Sequence, residues 1–478
     1  MADAGLEQTR TAGGVDPARV LAMCSGITFM AFLDFTVVNI AFPDILADFE
    51  LTSLSTLTWI VSGYAVMFAA LLAPAGRVAD SIDRRAVLLW SLVVFTLASL
   101  ICGVAPSVGW LIAGRFLQGA AAGGMIPAAL GLILSTTPRE RIPRAVATWG
   151  AAAGFSAVVG PAVGGVLLRV LDWRWVFFIN LPIGAALLAG GLVVLPGHVK
   201  AAGSRLPDAI GSIALGLGIA CIVSALTEGD QWGWRDVRTI GLGVIGLLLI
   251  GAALLRSRAH AAPAIDLAVW RNPTYTIATL GLGMLSAMMF AWNLAAPLFA
   301  TTIWHWTILE TAGALGIGAV ASVVGSLSAG RLTNPATQVK VAILACLLFA
   351  GSNAIWASDL FGSRSNFWGG WLPAALLGGA GLGLGFACLS TLAAGSIPPL
   401  KFAGGLGMTV AFRQVGGAVG VAGFAAIMVS SAEPGSLSAF HHVFVAAIAV
   451  NIICALLVSA LLGQRLGLRA GARTGTGA

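Results

Sequence analysis

Charge is what this chain has least of. Asp, Glu, Lys and Arg make up 9% of its residues, against about a quarter in an ordinary soluble domain, and that scarcity excludes a water-soluble globule. The six cysteines, Cys24, Cys102, Cys221, Cys346, Cys388 and Cys454, lie singly inside apolar runs. Neither a disulfide framework nor metal-ligand spacing is offered, so no metal and no cofactor are expected. A phosphate loop in its strand–loop–helix setting is also missing, which disfavours an ATP-driven pump. The glycine runs from Gly378 to Gly385 and at Gly416, Gly417 and Gly420 sit inside apolar stretches and read as close helix packing. His305, His441 and His442 have no motif joining them to a nucleophile and base, so an enzyme is not expected. The first sixteen residues set Asp3, Glu7 and Asp16 against Arg10, without the positive region of a cleavable signal, and the first span is expected to insert uncleaved.

What is abundant is apolar length. Hydrophobic residues are 58% of the 478, and a bilayer-crossing helix needs about 20 of them in a row. Fourteen such spans are predicted: 18–42, 54–74, 86–105, 107–134, 144–168, 176–196, 209–227, 237–255, 275–299, 309–330, 338–357, 368–393, 404–431 and 441–463. The 26 Lys and Arg orient them. With the N-terminus cytoplasmic, only Arg169, Arg174, Arg235, Arg238 and Arg364 fall in outer breaks. Arg115 and Arg413 lie inside spans, and all the others are cytoplasmic, as the positive-inside rule requires. Both termini are then cytoplasmic. The net charge of +7 is a topology signal; basic residues spread over loops make no nucleic-acid footprint. Trp59, Trp110, Trp173, Trp175, Trp232, Trp234, Trp304, Trp306, Trp356, Trp368 and Trp371 all fall at outer span ends, where an indole belt at headgroup level is expected.

Of the 19 acids, these boundaries leave only Asp34 deep inside a span. An intramembrane acid faces a cavity or a partner, because a lone charge there is costly. At ~1.5 Å per residue, Asp34 stands roughly 24 Å along the rising first helix and Arg115 roughly 12 Å below the outer surface on the descending fourth. The two meet at similar depth. Either they form a fixed ion pair, or Asp34 exchanges a proton as its surroundings change.

The sequences around these residues carry a resemblance. Leu33-Asp34-Phe35-Thr36-Val37-Val38-Asn39-Ile40-Ala41-Phe42-Pro43 is similar to the first-helix run of fourteen-span drug/proton antiporters. Arg115, Gln118 and Gly119 match the R-x-x-Q-G spacing of their fourth helix. The stretch with Ser156, Gly160, Pro161, Gly164 and Gly165 resembles the antiporter motif of the fifth helix in major facilitator superfamily exporters. Gly76, Asp80, Arg84 and Arg85 match that superfamily's cytoplasmic loop between helices 2 and 3; Ser81 stands where a basic residue is usual, and Asp83 where a glycine is. The runs Asp172–Gly184 and Ala411–Gly420 resemble the family's sixth- and thirteenth-helix patterns.

That resemblance implies an all-α polytopic membrane protein with the major facilitator fold. Two six-helix bundles, 18–196 and 275–463, flank two inserted helices at 209–255. A tail at 1–17, linkers at 197–208 and 256–274, and a tail at 464–478 are cytoplasmic. The implied function is proton-coupled export of small amphiphilic drugs or antibiotics across the bacterial inner membrane by alternating access. Its partners are a small-molecule substrate, protons and membrane lipids, not nucleic acid, and the protein acts as a monomer. Export of an endogenous metabolite or lipid stays open, as does a non-transporting scaffold or sensor. Asp34 and Arg115 are assigned to proton coupling. Asp34, Asn39, Gln118, Met288, Trp292, Asn293 and Arg413 are assigned to a substrate cavity, though Met288 and Trp292 equally suit core packing. Gly76, Asp80, Arg84 and Arg85 form a gating loop, for which plain positive-inside anchoring is the alternative. Asp80 is placed to cap a neighbouring helix. Gly160 and Gly164, small residues four apart, are expected to meet the tenth helix across the bundles.

Overall fold

The computed structural model describes residues 16–49, 54–197, 208–260, 262–398, 401–431 and 436–474. Residues 1–15, 198–207 and 475–478, which carry most of the expected N-terminal tail, first linker and C-terminal end, lie outside that description. Fourteen long helices follow in order: α1 Pro17–Val37, α2 Leu54–Ser81, α3 Arg84–Gly103, α4 Val108–Thr136, α5 Ile142–Val170, α6 Asn180–Val194, α7 Ala209–Trp232, α8 Val237–Ala259, α9 Pro273–Thr302, α10 Ile308–Ala329, α11 Pro335–Trp356, α12 Leu372–Gly395, α13 Phe402–Ser430 and α14 Leu437–Thr474. Thirteen of the described segments are long and apolar enough to cross a bilayer. The remaining long helix, α5, runs for 29 residues.

Local chemistry starts these helices where polar residues meet apolar runs. The side chains of Asp16, Asp83, Asp236, Asn272 and Asn334 accept first-turn amides of α1, α3, α8, α9 and α11, and Thr307 with Glu310 closes a capping box on α10. The first span is shorter than expected. Its helix stops at Val37, and a 3-10 turn, Val38–Ala41, leads into a short helix, Phe42–Asp48, with Pro43 in its first turn, where proline is tolerated.

In the first half, α1 packs on α4, α5 and α6, α4 on α2 and α3, and α3 on α6. In the second, α9 packs on α12, α13 and α14, and α12 on α10 and α11. The halves meet through α2 with α13 and α5 with α10. The inserted α7 lies against both α2 and α13, while α8 packs on α7 and exposes Val237, Leu247, Leu248 and Leu255 outward. An apolar face of that kind suits lipid. The glycine runs pack as their apolar setting implies: a Cβ at Gly383 would strike the Ser322 carbonyl of α10, and one at Gly420 that of Ala287 on α9.

The tryptophan belt needs correcting. Trp110, Trp175, Trp234 and Trp368 are exposed, but Trp173, Trp304, Trp356 and Trp371 are buried. In the second half they pack on Phe299, Phe361 and Phe444, and Phe440 joins the cluster through Phe299. Edge and face contacts among rings compete with the headgroup level for an indole, and here they hold four of the eleven inside.

Candidate functional site

Gly119 brings the site together. A Cβ there would strike the Tyr64 carbonyl of α2, so only glycine lets α2 and α4 cross this closely. The crossing puts Arg115 against α2: its Nε donates to the Ile60 carbonyl at 2.9 Å, and its guanidinium lies 4.4 Å from the centre of the Tyr64 ring. Across from it, α1 presents Asp34. Arg115 Nη1 and Asp34 Oδ2 are 2.5 Å apart, with neither side chain exposed to solvent.

Three more polar side chains complete the cluster. Gln118, one turn along α4, accepts from Arg115 Nη1 at 2.9 Å and donates to Asp34 Oδ1 at 3.1 Å. Asn180, the first residue of α6, donates to Asp34 Oδ1 at 2.7 Å. Both amides also donate to Ser99 of α3, at 2.7 and 3.1 Å. A buried carboxylate is thus held by one guanidinium and two amides from two helices, α4 and α6, the satisfaction a charge at this depth requires. Asn180 and Ser99 were not singled out in the sequence. Asn180 stands in the sixth-helix run as a polar residue opening an apolar span, which was signal enough; Ser99 carries none.

A cavity of about 250 Å³ lies between the halves, lined from α1, α2, α4, α5, α9, α10, α12 and α13. Of the residues assigned to it from sequence, Asn293 and Arg413 line it. Asp34 and Gln118 do not: they lie behind Tyr64 and Phe35, which form the wall. Met288 and Trp292 miss as well. On α9 it is Met289, Phe290 and the expected Asn293 that face the space, while Trp292 turns onto Trp356 in the aromatic cluster. One step on a helix rotates a side chain by about 100°, so an error of a single position changes the face. The side chain of Asn39 lies outside the described ones; its backbone is in the turn after α1.

The loop between α2 and α3 sits under α13. Asp80 accepts from the Ala403 amide at 3.1 Å and the Gly404 amide at 2.6 Å, in the first turn of α13, while Arg84 donates to the oxygen shared with Ala403, Oδ1, at 2.6 Å. Arg85 donates to the Leu192 carbonyl at 2.6 Å. A Cβ at Gly76 would run into the Ala403 carbonyl. Asp83, which replaces the family's glycine, has φ −169° and caps α3, so this position asks for no left-handed backbone and the substitution costs nothing in strain.

The fifth-helix motif has a different neighbour from the one expected. A Cβ at Gly160 would collide with Thr36 of α1, whose hydroxyl donates to the Ser156 carbonyl at 3.3 Å. Gly164 is buried, and Gly165 is exposed with nothing within 4 Å of a Cβ. The helix continues through Pro161, whose side chain lies outside the described ones. The contact with α10 is made earlier along α5, where Ser326 donates to the Ala147 carbonyl at 3.1 Å and Gly330 abuts Arg144 and Ala147. Gly160→Leu is therefore expected to overpack α1 against α5 and cost about 1–3 kcal/mol. Thermal unfolding of the purified protein in detergent reads this as a lowered midpoint, which Thr36→Ala partly restores; a midpoint unmoved by Gly160→Leu contradicts the contact.

A fully buried acid was also missed. Glu228 of α7 is 1% exposed, just beyond the expected end of the seventh span at 227, with Ser62 of α2 beside its carboxyl group. Cys346 and Cys454, 108 residues apart in sequence, lie side by side with their sulfurs at 3.6 Å.

A family model described as Major Facilitator Superfamily matches residues 24–332. A puromycin resistance protein of Streptomyces alboniger is 32% identical over 86% of this chain and 82% of its own. A methylenomycin A resistance protein of Streptomyces coelicolor is 31% identical over 87% and 86%, and the multidrug export protein EmrB of Escherichia coli is 26% identical over 87% and 81%. Among solved structures, the human organic anion transporter MFSD10 superposes with a TM-score of 0.68 at 14% identity, covering 93% of this chain and 99% of that one. At that identity the likeness speaks to fold alone.

Proposed function

Since the chain belongs to the Major Facilitator Superfamily, we propose that it exports small amphiphilic drugs or antibiotics across the bacterial inner membrane in exchange for protons, by alternating access. Relatives whose names state drug resistance or export support the cargo class. The observation that carries the coupling is the sealed pair: Asp34 and Arg115 are buried together, and the Tyr64 ring that packs on the guanidinium also lines the cavity between the halves.

The pair supplies the coupling step. With Asp34 ionised, Arg115 is neutralised and α1 and α4 are held together. A proton arriving on Asp34 removes that neutralisation and leaves Arg115 on neutral acceptors, the Ile60 carbonyl and the Gln118 amide oxygen. An uncompensated buried charge costs several kcal/mol, and moving α1 against α4 relieves it. Tyr64 and Phe35 carry the movement to the cavity wall, where substrate is held or released.

The 18–196 and 275–463 bundles rock about the cavity, with the 209–255 pair riding against α2 and α13. Contacts between the halves described above, Asp80 with α13 and Ala147 with Ser326, gather at the arginine-rich end. By charge bias that end and both termini are cytoplasmic, which supports reading this conformation as closed to the cytoplasm. The protein acts as a monomer, with substrate and protons as its partners.

Asp80 then latches the closed state, as a carboxylate on the positive end of α13. Asp80→Asn is expected to weaken the latch by about 1–2 kcal/mol, a five- to thirty-fold change in population. Spin labels at the exposed Glu140 and Thr333, one on each half, test it: the distance distribution gains a longer component in the variant, and an unchanged distribution removes the gating role.

A further inference from the structure

Two arginines lie inside the membrane, and the structure treats them differently. Arg115 has an acid, an amide, a carbonyl and a ring around it. Among the described residues, Arg413 of α13 is matched only by a ring: its guanidinium lies 4.4 Å from the centre of Phe386 of α12. Its Nε is shielded from solvent without a hydrogen-bond partner, and it enters no ion pair among the described residues. Arg413 is also the sole charged residue among those lining the cavity; no carboxylate joins it there.

Its position is informative. A second, smaller void of about 10 Å³ continues from Arg413 past Trp149, Leu406 and Thr409, toward the end where the halves touch. Arg413 thus stands at the closed floor of the cavity, below a chamber walled by Phe32, Phe35, Phe68 and Phe290. A guanidinium keeps its proton at neutral pH, and a lone charge in so apolar a place lacks the partner that makes such burial tolerable. A ligand oxyanion supplies it, and the planar fork matches a carboxylate bidentately.

We propose that the cargo of this cavity is anionic: a hydrophobic body seated among the phenylalanine rings, with one carboxylate paired to Arg413 at the inner end. This rests on the exporter reading and narrows it. It also sets the charge movement. Export of a monoanion against one incoming proton moves two charges per cycle, so the membrane potential alone drives it, whereas a monovalent cation exchanged for one proton moves none.

Fluorescence titration of the purified full-length protein decides the matter with three probes sharing one fluorophore: dansylglycine, its neutral amide, and the cationic N-(2-aminoethyl)dansylamide. The acid is expected to bind at least tenfold more tightly than the amide, and the cation most weakly. Arg413→Gln should erase the gap between acid and amide while leaving the amide's affinity alone, and Arg413→Lys should keep part of the gap. An acid that binds no better than its amide to the wild-type protein overturns the assignment, whatever the variants do; so does a gap that survives Arg413→Gln. Proton-driven movement of the cation ethidium in inverted vesicles separates the two claims. If it proceeds while acid and amide bind alike, the exporter stands and its anionic cargo falls.

Discussion

Asp34→Asn is expected to abolish proton-driven transport while leaving the protein inserted and folded. Asparagine keeps the shape of the side chain, so Asn180 and Gln118 still have an oxygen to donate to. It cannot take up or release a proton, and it leaves Arg115 buried without a counter-charge at a cost of about 3–5 kcal/mol. In the wild type that cost falls only on the protonated intermediate; in the variant it is permanent, and the cycle has no ionised state to return to. Proteoliposomes with an imposed pH gradient should show substrate accumulation reduced at least about a hundredfold, the factor that roughly 3 kcal/mol corresponds to. Near-normal accumulation removes Asp34 from the coupling step.

Arg115 carries the second large effect. Arg115→Ala would leave Asp34 as an unpaired buried carboxylate, with the same penalty of about 3–5 kcal/mol, and is expected to lose transport together with stability. Arg115→Lys recovers part, because a lysine places one charge near Asp34 Oδ2 but cannot also reach the Ile60 carbonyl and Gln118 with a planar fork. Replacing both partners, Asp34→Asn with Arg115→Gln, removes both charges and restores stability without restoring transport. The thermal midpoints of the wild type, Asp34→Asn, Arg115→Gln and the double variant form a double-mutant cycle with an expected coupling of at least about 3 kcal/mol, at or beyond the top of the range for side chains in contact. Strictly additive losses mean that the pair contributes nothing as a pair.

The pair was legible because so little competes with it: one acid and two arginines inside the expected spans left few combinations, and the helix rise placed Asp34 and Arg115 at one depth. The spans were legible for the same reason, since long apolar runs and sparse charge leave few other ways to fold. Direction around a helix was harder. Met288 and Trp292 were assigned to the cavity that Met289 and Asn293 line, because a span apolar all round has no polar face to fix its rotation. Gly160 marked a close helix contact correctly but could not say with which helix, since a missing side chain looks the same to α1 as to α10. Glu228 escaped because a span boundary drawn one residue short turned a buried acid into a loop residue. Arg413 was placed in the cavity from its motif, yet its lack of a partner is a property of eight helices meeting, which no local pattern contains.

In the proposed cycle the charge state of Asp34 sets which side of the protein is open. Distance measurement between spin labels at Glu140 and Thr333, on the purified protein across a pH series and without substrate, tests it most directly. The account predicts that the wild type moves from the short, cytoplasm-closed distance at high pH to a longer one as pH falls, and that Asp34→Asn holds the longer distance throughout. A variant that titrates between the two distances as the wild type does would contradict it, and place the proton on some other group.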